Sequence, residues 1–147
     1  MKISGKYGRK VRLTNVLDGI KVVSFDGTKL RKFYPDLIGG SHHRVDKIVP
    51  VNAIWIEQMR SRDEERFLLA HEMTEYLLMK YRHWTYDPAH RIATKVEQKL
   101  RNGLCPAVVF YDFVRTYLHR EFPSLMHWQG SNCDEVTASL EYAYRAY

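Results

Sequence analysis

Between residues 62 and 81 the apolar positions Phe67, Ala70, Met73, Leu77 and Tyr81 recur at spacings of three and four, with Leu69 and Leu78 widening the stripe. That period predicts a helix with one buried face. Ser61-Arg62-Asp63-Glu64 before it reads as a capping box, with Ser61 accepting from a first-turn amide and Glu64 reaching back to the Ser61 amide. A second helix is expected over 88–101, with Asp87 as N-cap and Pro88 at the first helical position. Ala89, Ile92, Ala93, Val96 and Leu100 form its core stripe, and Gly103 is its stop. A third helix is expected from Ala107 to about Glu121, ended by Pro123, and a fourth from Asn132 to the terminus.

The first third of the chain has a different pattern. Val11 to Val16 and Ile20 to Phe25 are β-type runs, and Asp26-Gly27 after them is a hairpin signal with Thr28 to Phe33 as the returning strand. Residues 34–43, with Pro35, Gly39 and Gly40, read as a loop; Val45 to Val51 and Ala53 to Ile56 read as strands. The expected class is α+β: a small N-terminal sheet built on a β-hairpin, then a mainly helical C-terminal half. At 147 residues the chain suits one core, so residues 1–147 are taken as one domain.

Composition narrows the classes. Apolar residues at 45% and charged residues at 27% match an ordinary globular protein, not a fibrous or disordered one. No apolar run is long enough for a membrane span, and the first six residues lack the apolar core of a secretory signal, so a cytoplasmic protein is expected. Cys105 and Cys133 have no Cys-x-x-Cys spacing and are expected as free thiols. Net charge is +6, which favours polyanionic partners such as nucleic acid. The cations are nevertheless divided among Lys6 to Arg12, Lys29 to Lys32 and Lys95 to Arg101, as in ordinary surface charge. Trp55, Trp84 and Trp128 are expected to serve the core rather than a stacking surface.

Candidate chemistry lies inside the first long helix, at His71-Glu72-x-x-Glu75. His71 and Glu75 are one turn apart on one face and can chelate one ion; Glu72, about 100° around the axis, can act as base on a water the ion activates. This is the arrangement of His-Glu-x-x-His metallohydrolases with a carboxylate replacing the second imidazole. Two histidines and one glutamate are a known catalytic zinc set that leaves a position for water. His90, in the first turn of the second helix, is the expected third ligand if that helix folds back antiparallel to the first. Glu97 is about 10.5 Å further along that helix, which assigns it to an outer role or to Arg101. His42 and His43 are candidates for an extra ligand or a substrate-binding element on a loop, and Tyr86 for a substrate contact.

Gly39-Gly40-Ser41-His42-His43, Pro50, Ile54-Trp55-Ile56, His71-Glu72-x-x-Glu75, Tyr86, Ala89-His90 and Glu97 together resemble a group of small zincin-like proteins of phage and bacterial genomes, over about residues 38–101. The resemblance implies a metal-dependent, hydrolase-like fold in which an edge strand, here Ala53 to Ile56, lies beside the metal-bearing helix and docks an extended substrate. The expected function is therefore a zinc-dependent hydrolase, peptidase-like, cutting a peptide or other amide. Two other readings compete: a basic nucleic-acid-binding protein with a structural or vestigial metal site, and an interaction protein of phage type. On both, His71 and the glutamates are structural or a solvated helix face.

Overall fold

The computed structural model describes residues 7–10 and 20–122. Strands β1 (Tyr7–Lys10) and β2 (Lys21–Phe25) are followed by a single helical turn, α1 (Gly27–Leu30), then β3 (Gly40–His42) and β4 (Ala53–Glu57). Three helices complete the described chain: α2 (Arg62–Tyr81), α3 (Tyr86–Arg101) and α4 (Pro106–Tyr117). The class is α+β, and among the described residues no helix is long and apolar enough to cross a membrane.

The four strands form one sheet in the order β1-β2-β4-β3. β4 pairs parallel with β2 and antiparallel with β3, so it is an interior strand, and β3 is the edge on that side of the sheet. The assignment of Ala53 to Ile56 as the edge is thereby corrected. Alternation along β4 divides the core in two. Ile54 and Ile56, with Val22, face Leu69, Met73, Leu77 and Leu78 of α2 and the inner faces of α3 and α4. Ala53 and Trp55, with Val23 and Phe25, face Leu30, Leu37 and Val49 on the other side.

Several local expectations give way to tertiary context. Asp26-Gly27 does not turn a hairpin: Asp26 caps α1, its Oδ1 accepting from the Thr28 amide at 3.0 Å and the Thr28 hydroxyl at 2.6 Å. Thr28 to Phe33 is consequently helix and turn, and β2 finds its partner in β4 instead. Gly40–His42 is strand where a loop was expected, whereas Val45 to Val51 is a series of turns in which His42 O, Asp46 O and Pro50 O accept from amides three or four residues on. The strand expected at Val11 to Val16 and the helix expected from Asn132 lie outside the described residues. Cys105, the residue before α4, is disulfide-bonded rather than the free thiol expected.

The long helices follow their signals closely. Ser61 caps α2 by accepting from the Asp63 amide at 3.2 Å, but Glu64 does not close the box. Glu65 instead accepts from the Met59 amide, two residues ahead of the cap, at 3.0 Å, while Glu64 is held by Arg101. α3 begins at Tyr86 with Thr85 as N-cap, slightly ahead of the expected Asp87, and Gly103 with φ +85° closes its far end. α4 stops at Tyr117, earlier than expected, because Leu118 accepts from Glu121 and Phe122 in a turn ahead of Pro123.

Candidate metal centre

Ten consecutive residues of α2, Leu69 to Leu78, are buried, because the helix is covered by the sheet on one side and by α3 on another. Its polar residues are carried inside with them: His71 and Glu72 are each 8% exposed and Glu75 is 3% exposed. A solvated helix face does not describe these three side chains.

α2 and α3 run antiparallel, as the pairs Glu64 with Arg101, His71 with Glu97 and Glu75 with His90 show. This packing brings His90 Nδ1 to 3.0 Å from Glu75 Oε2 and 3.1 Å from His71 Nε2, with His71 Nε2 3.4 Å from Glu75 Oε2. Three donors bound at about 2.0–2.1 Å to one tetrahedral ion would stand about 3.3 Å apart. The observed triangle has that size. His71, Glu75 and His90 form one group able to hold a metal ion; His42, Glu72 and Glu75 form a second, more deeply buried one.

Edge strand β3 delivers His42, fully buried, with Nε2 2.9 Å from Glu75 Oε1. Glu75 thus gives one oxygen to His42 and the other to His71 and His90. Burial opposes its ionisation, but the three imidazoles outweigh that and hold the carboxyl down at about 2. Glu72 has no such partners. Burial, then repulsion from Glu75, pushes its carboxyl up to about 8. Burial pulls the His71 imidazole down, yet contact with Glu75 and the nearby Glu72 and Glu97 carry it above its ordinary value.

Around this group lies a cavity of about 310 Å³ lined by His71, Glu72, Glu75, His90, Tyr86 and Glu97 on the helices and by Gly39, Gly40 and Ser41 on the sheet side. Gly40 is required by close approach: a Cβ there would stand 2.8 Å from Glu72 Cγ and 2.9 Å from the Trp55 carbonyl oxygen. Tyr86 places its hydroxyl 3.2 Å from His90 Nδ1. Asp46, which sequence reasoning did not single out, also lines the cavity and accepts from Ser41 Oγ at 2.6 Å.

The adjacent histidines part company. His43 donates from Nδ1 to Val49 O at 2.8 Å and lines a different cavity, because successive side chains leaving a strand point to opposite faces. Glu97 lies outside the ligand triangle. Its Oε1 is 2.9 Å from His71 Nδ1 and its Oε2 accepts from Arg101 Nε at 2.8 Å. Arg101 in turn grips Glu64 at 2.7 and 2.9 Å and lies over the Phe67 ring. The Glu64–Arg101–Glu97 brace is the part of the site least visible in sequence, although Glu97 and Arg101 at i,i+4 are a recognisable helix pair. Comparison with family models, with curated proteins and with solved structures finds no match.

Proposed function

We propose that the protein is a divalent-metal-dependent hydrolase, zinc by preference, that cuts a peptide or other amide bond. The observation carrying this reading is the triangle of His71 Nε2, Glu75 Oε2 and His90 Nδ1, with sides of 3.0, 3.1 and 3.4 Å, open to a cavity. Mixed imidazole and carboxylate donors in such a set suit zinc, and three protein ligands leave a coordination position free. When bound, the ion supplies Lewis acidity and lowers the pKa of water towards about 7.

The chain's own residues divide the remaining work. Glu72, beside the triangle and without a neutralising partner, takes the proton from the attacking water and returns it to the leaving amine. A cation in the triangle favours its ionised form, which is the basic one. Tyr86, beside His90, is placed to donate to the oxygen on which charge develops. The free edge of β3, whose Gly40 and Ser41 line the cavity, offers backbone groups to an extended peptide.

The test is the metal content of untagged wild type against His71→Ala and His90→Ala, alongside hydrolysis of a peptide library. About one equivalent in wild type, lost in both variants together with cleavage, is expected; equal metal content in all three proteins would end the proposal.

A further inference from the structure

A second cavity, of about 680 Å³, shares no lining residue with the first. The turn after β3 separates them: Val45 and Asp46 line the metal cavity, whereas Arg44 and Lys47 line the second. Lys80 completes a set of three permanent cations, His43 and His83 add two imidazoles, and among the described residues no Asp or Glu takes part in the lining.

Several arginines elsewhere in the fold have acidic partners, which Arg44, Lys47 and Lys80 lack among the described residues. Arg31 is paired with Glu57, Arg82 with Glu121, and Arg101 with Glu64 and Glu97. Arg44 instead makes a 3.4 Å contact to the Met79 carbonyl, and Lys80 lies over the Tyr76 and Tyr81 rings at 5.6 and 5.0 Å. Cations gathered in a concave site without a counter-charge raise the local concentration of anions.

Two further observations belong to this cavity. Asn52 at φ 61° and His83 at φ 54° are the left-handed non-glycine residues among those described, and both line it. Such backbone conformations gather at ligand sites. The wall also carries Trp84, half-buried, and the Tyr76 hydroxyl, which donates to Asn52 Oδ1 at 3.3 Å and leaves the Asn52 amide NH₂ as a donor.

We propose that this groove binds a nucleotide, with the phosphates among Arg44, Lys47 and Lys80 and the base against Trp84. Inorganic phosphate would leave most of the volume empty, whereas a ligand with a planar ring and charged oxygens uses both halves of the lining. A nucleic-acid strand fits less well, because the groove is one concavity and the Lys29 to Lys32 and Lys95 to Arg101 clusters take no part in it. The site is independent of the metal reading.

Titration with a fluorescent N-methylanthraniloyl-ADP, run in chelator so that the metal centre plays no part, tests this. Saturable binding that inorganic pyrophosphate displaces is expected. Arg44→Ala/Lys47→Ala, at exposed positions that leave the fold intact, should weaken it about tenfold or more, and Lys80→Ala similarly. Lys95→Ala/Lys99→Ala, equal in charge removed but on the exposed face of α3, should leave it within about twofold. Absence of saturation, equal loss in the α3 variant, or saturable binding only of a single-stranded oligonucleotide would each overturn the proposal.

Discussion

Glu97 Oε1 stands 2.9 Å from His71 Nδ1, on the side of the ring away from the nitrogen that faces Glu75 and His90. The carboxylate is itself fixed through its other oxygen by Arg101. The contact is one of charge and not an aligned hydrogen bond, and a carboxylate so close to Nδ1 favours the proton on that side of the ring and makes Nε2 the more basic ligand. Glu97→Gln should therefore lower zinc affinity by about 10-fold to 100-fold while leaving the fold intact, because Arg101 keeps its two contacts to Glu64. Competition against a chromogenic chelator measures it; an unchanged Kd would remove Glu97 from the site.

Glu72 separates a catalytic centre from a structural one. Glu72→Gln keeps shape and ligands but cannot accept a proton, so metal content should be unchanged and turnover should fall about 10²-fold to 10⁴-fold. Full turnover in a metal-loaded variant would transfer the base to another group.

In the metal-free protein the two carboxyls give opposite pH dependences. Burial and Glu75 raise folded Glu72 to about 8 against an ordinary 4.5, so its contribution is fully present below about 4.5 and is lost as pH rises through about 8. Glu75, held at about 2 by His42, His71 and His90 against burial, contributes stability above about 4.5 that is lost as pH falls towards 2. His71, raised above its ordinary value, adds to the loss on the alkaline side. Melts in chelator should show wild-type Tm declining from about pH 5 to 8 and a flatter profile for Glu72→Gln, which gains on the order of 1–3 kcal/mol at the upper end. Parallel profiles for the two proteins would contradict a raised Glu72.

His42 is the buried partner of the other Glu75 oxygen, and its removal strands a carboxylate lone pair away from water. His42→Ala should cost about 1–3 kcal/mol and weaken metal binding. Chemical denaturation and metal titration of the same variant check both; stability and affinity unchanged together would show the contact to be incidental.

Gly40→Ala tests the packing of β3 on the base. The added methyl meets the Trp55 carbonyl, which the β3–β4 pairing holds in place, and Glu72 Cγ, which can move. Loss of about 1–3 kcal/mol is expected, with turnover reduced and metal retained. An active, fully stable variant would mean that the strand yields instead of the side chain.

Helices α2 and α3 were legible because their signals are local: a Ser61 cap, stripes at spacings of three and four, and Gly103 as a stop all act within a few residues. His71 and Glu75 share a face by helix geometry alone. The β region was less legible for the opposite reason. Asp26 has the same side chain whether it favours a hairpin turn or caps a helix, and the outcome depended on β4, about thirty residues away, offering β2 a parallel partner.

The sequence by itself determined the α+β class, the extents of the two long helices and the one-turn spacing of His71 and Glu75, since each depends on backbone period or on a side chain bonding to nearby amides. Only the tertiary structure decided that His90 and His42 converge on the two oxygens of Glu75, that Glu97 reaches His71, and that His43 turns away. Those relations join residues 15 to 33 positions apart or depend on a three-residue strand too short to show a period. They exist because burying α2 between the sheet and α3 leaves its polar side chains no partners except the ones those elements bring.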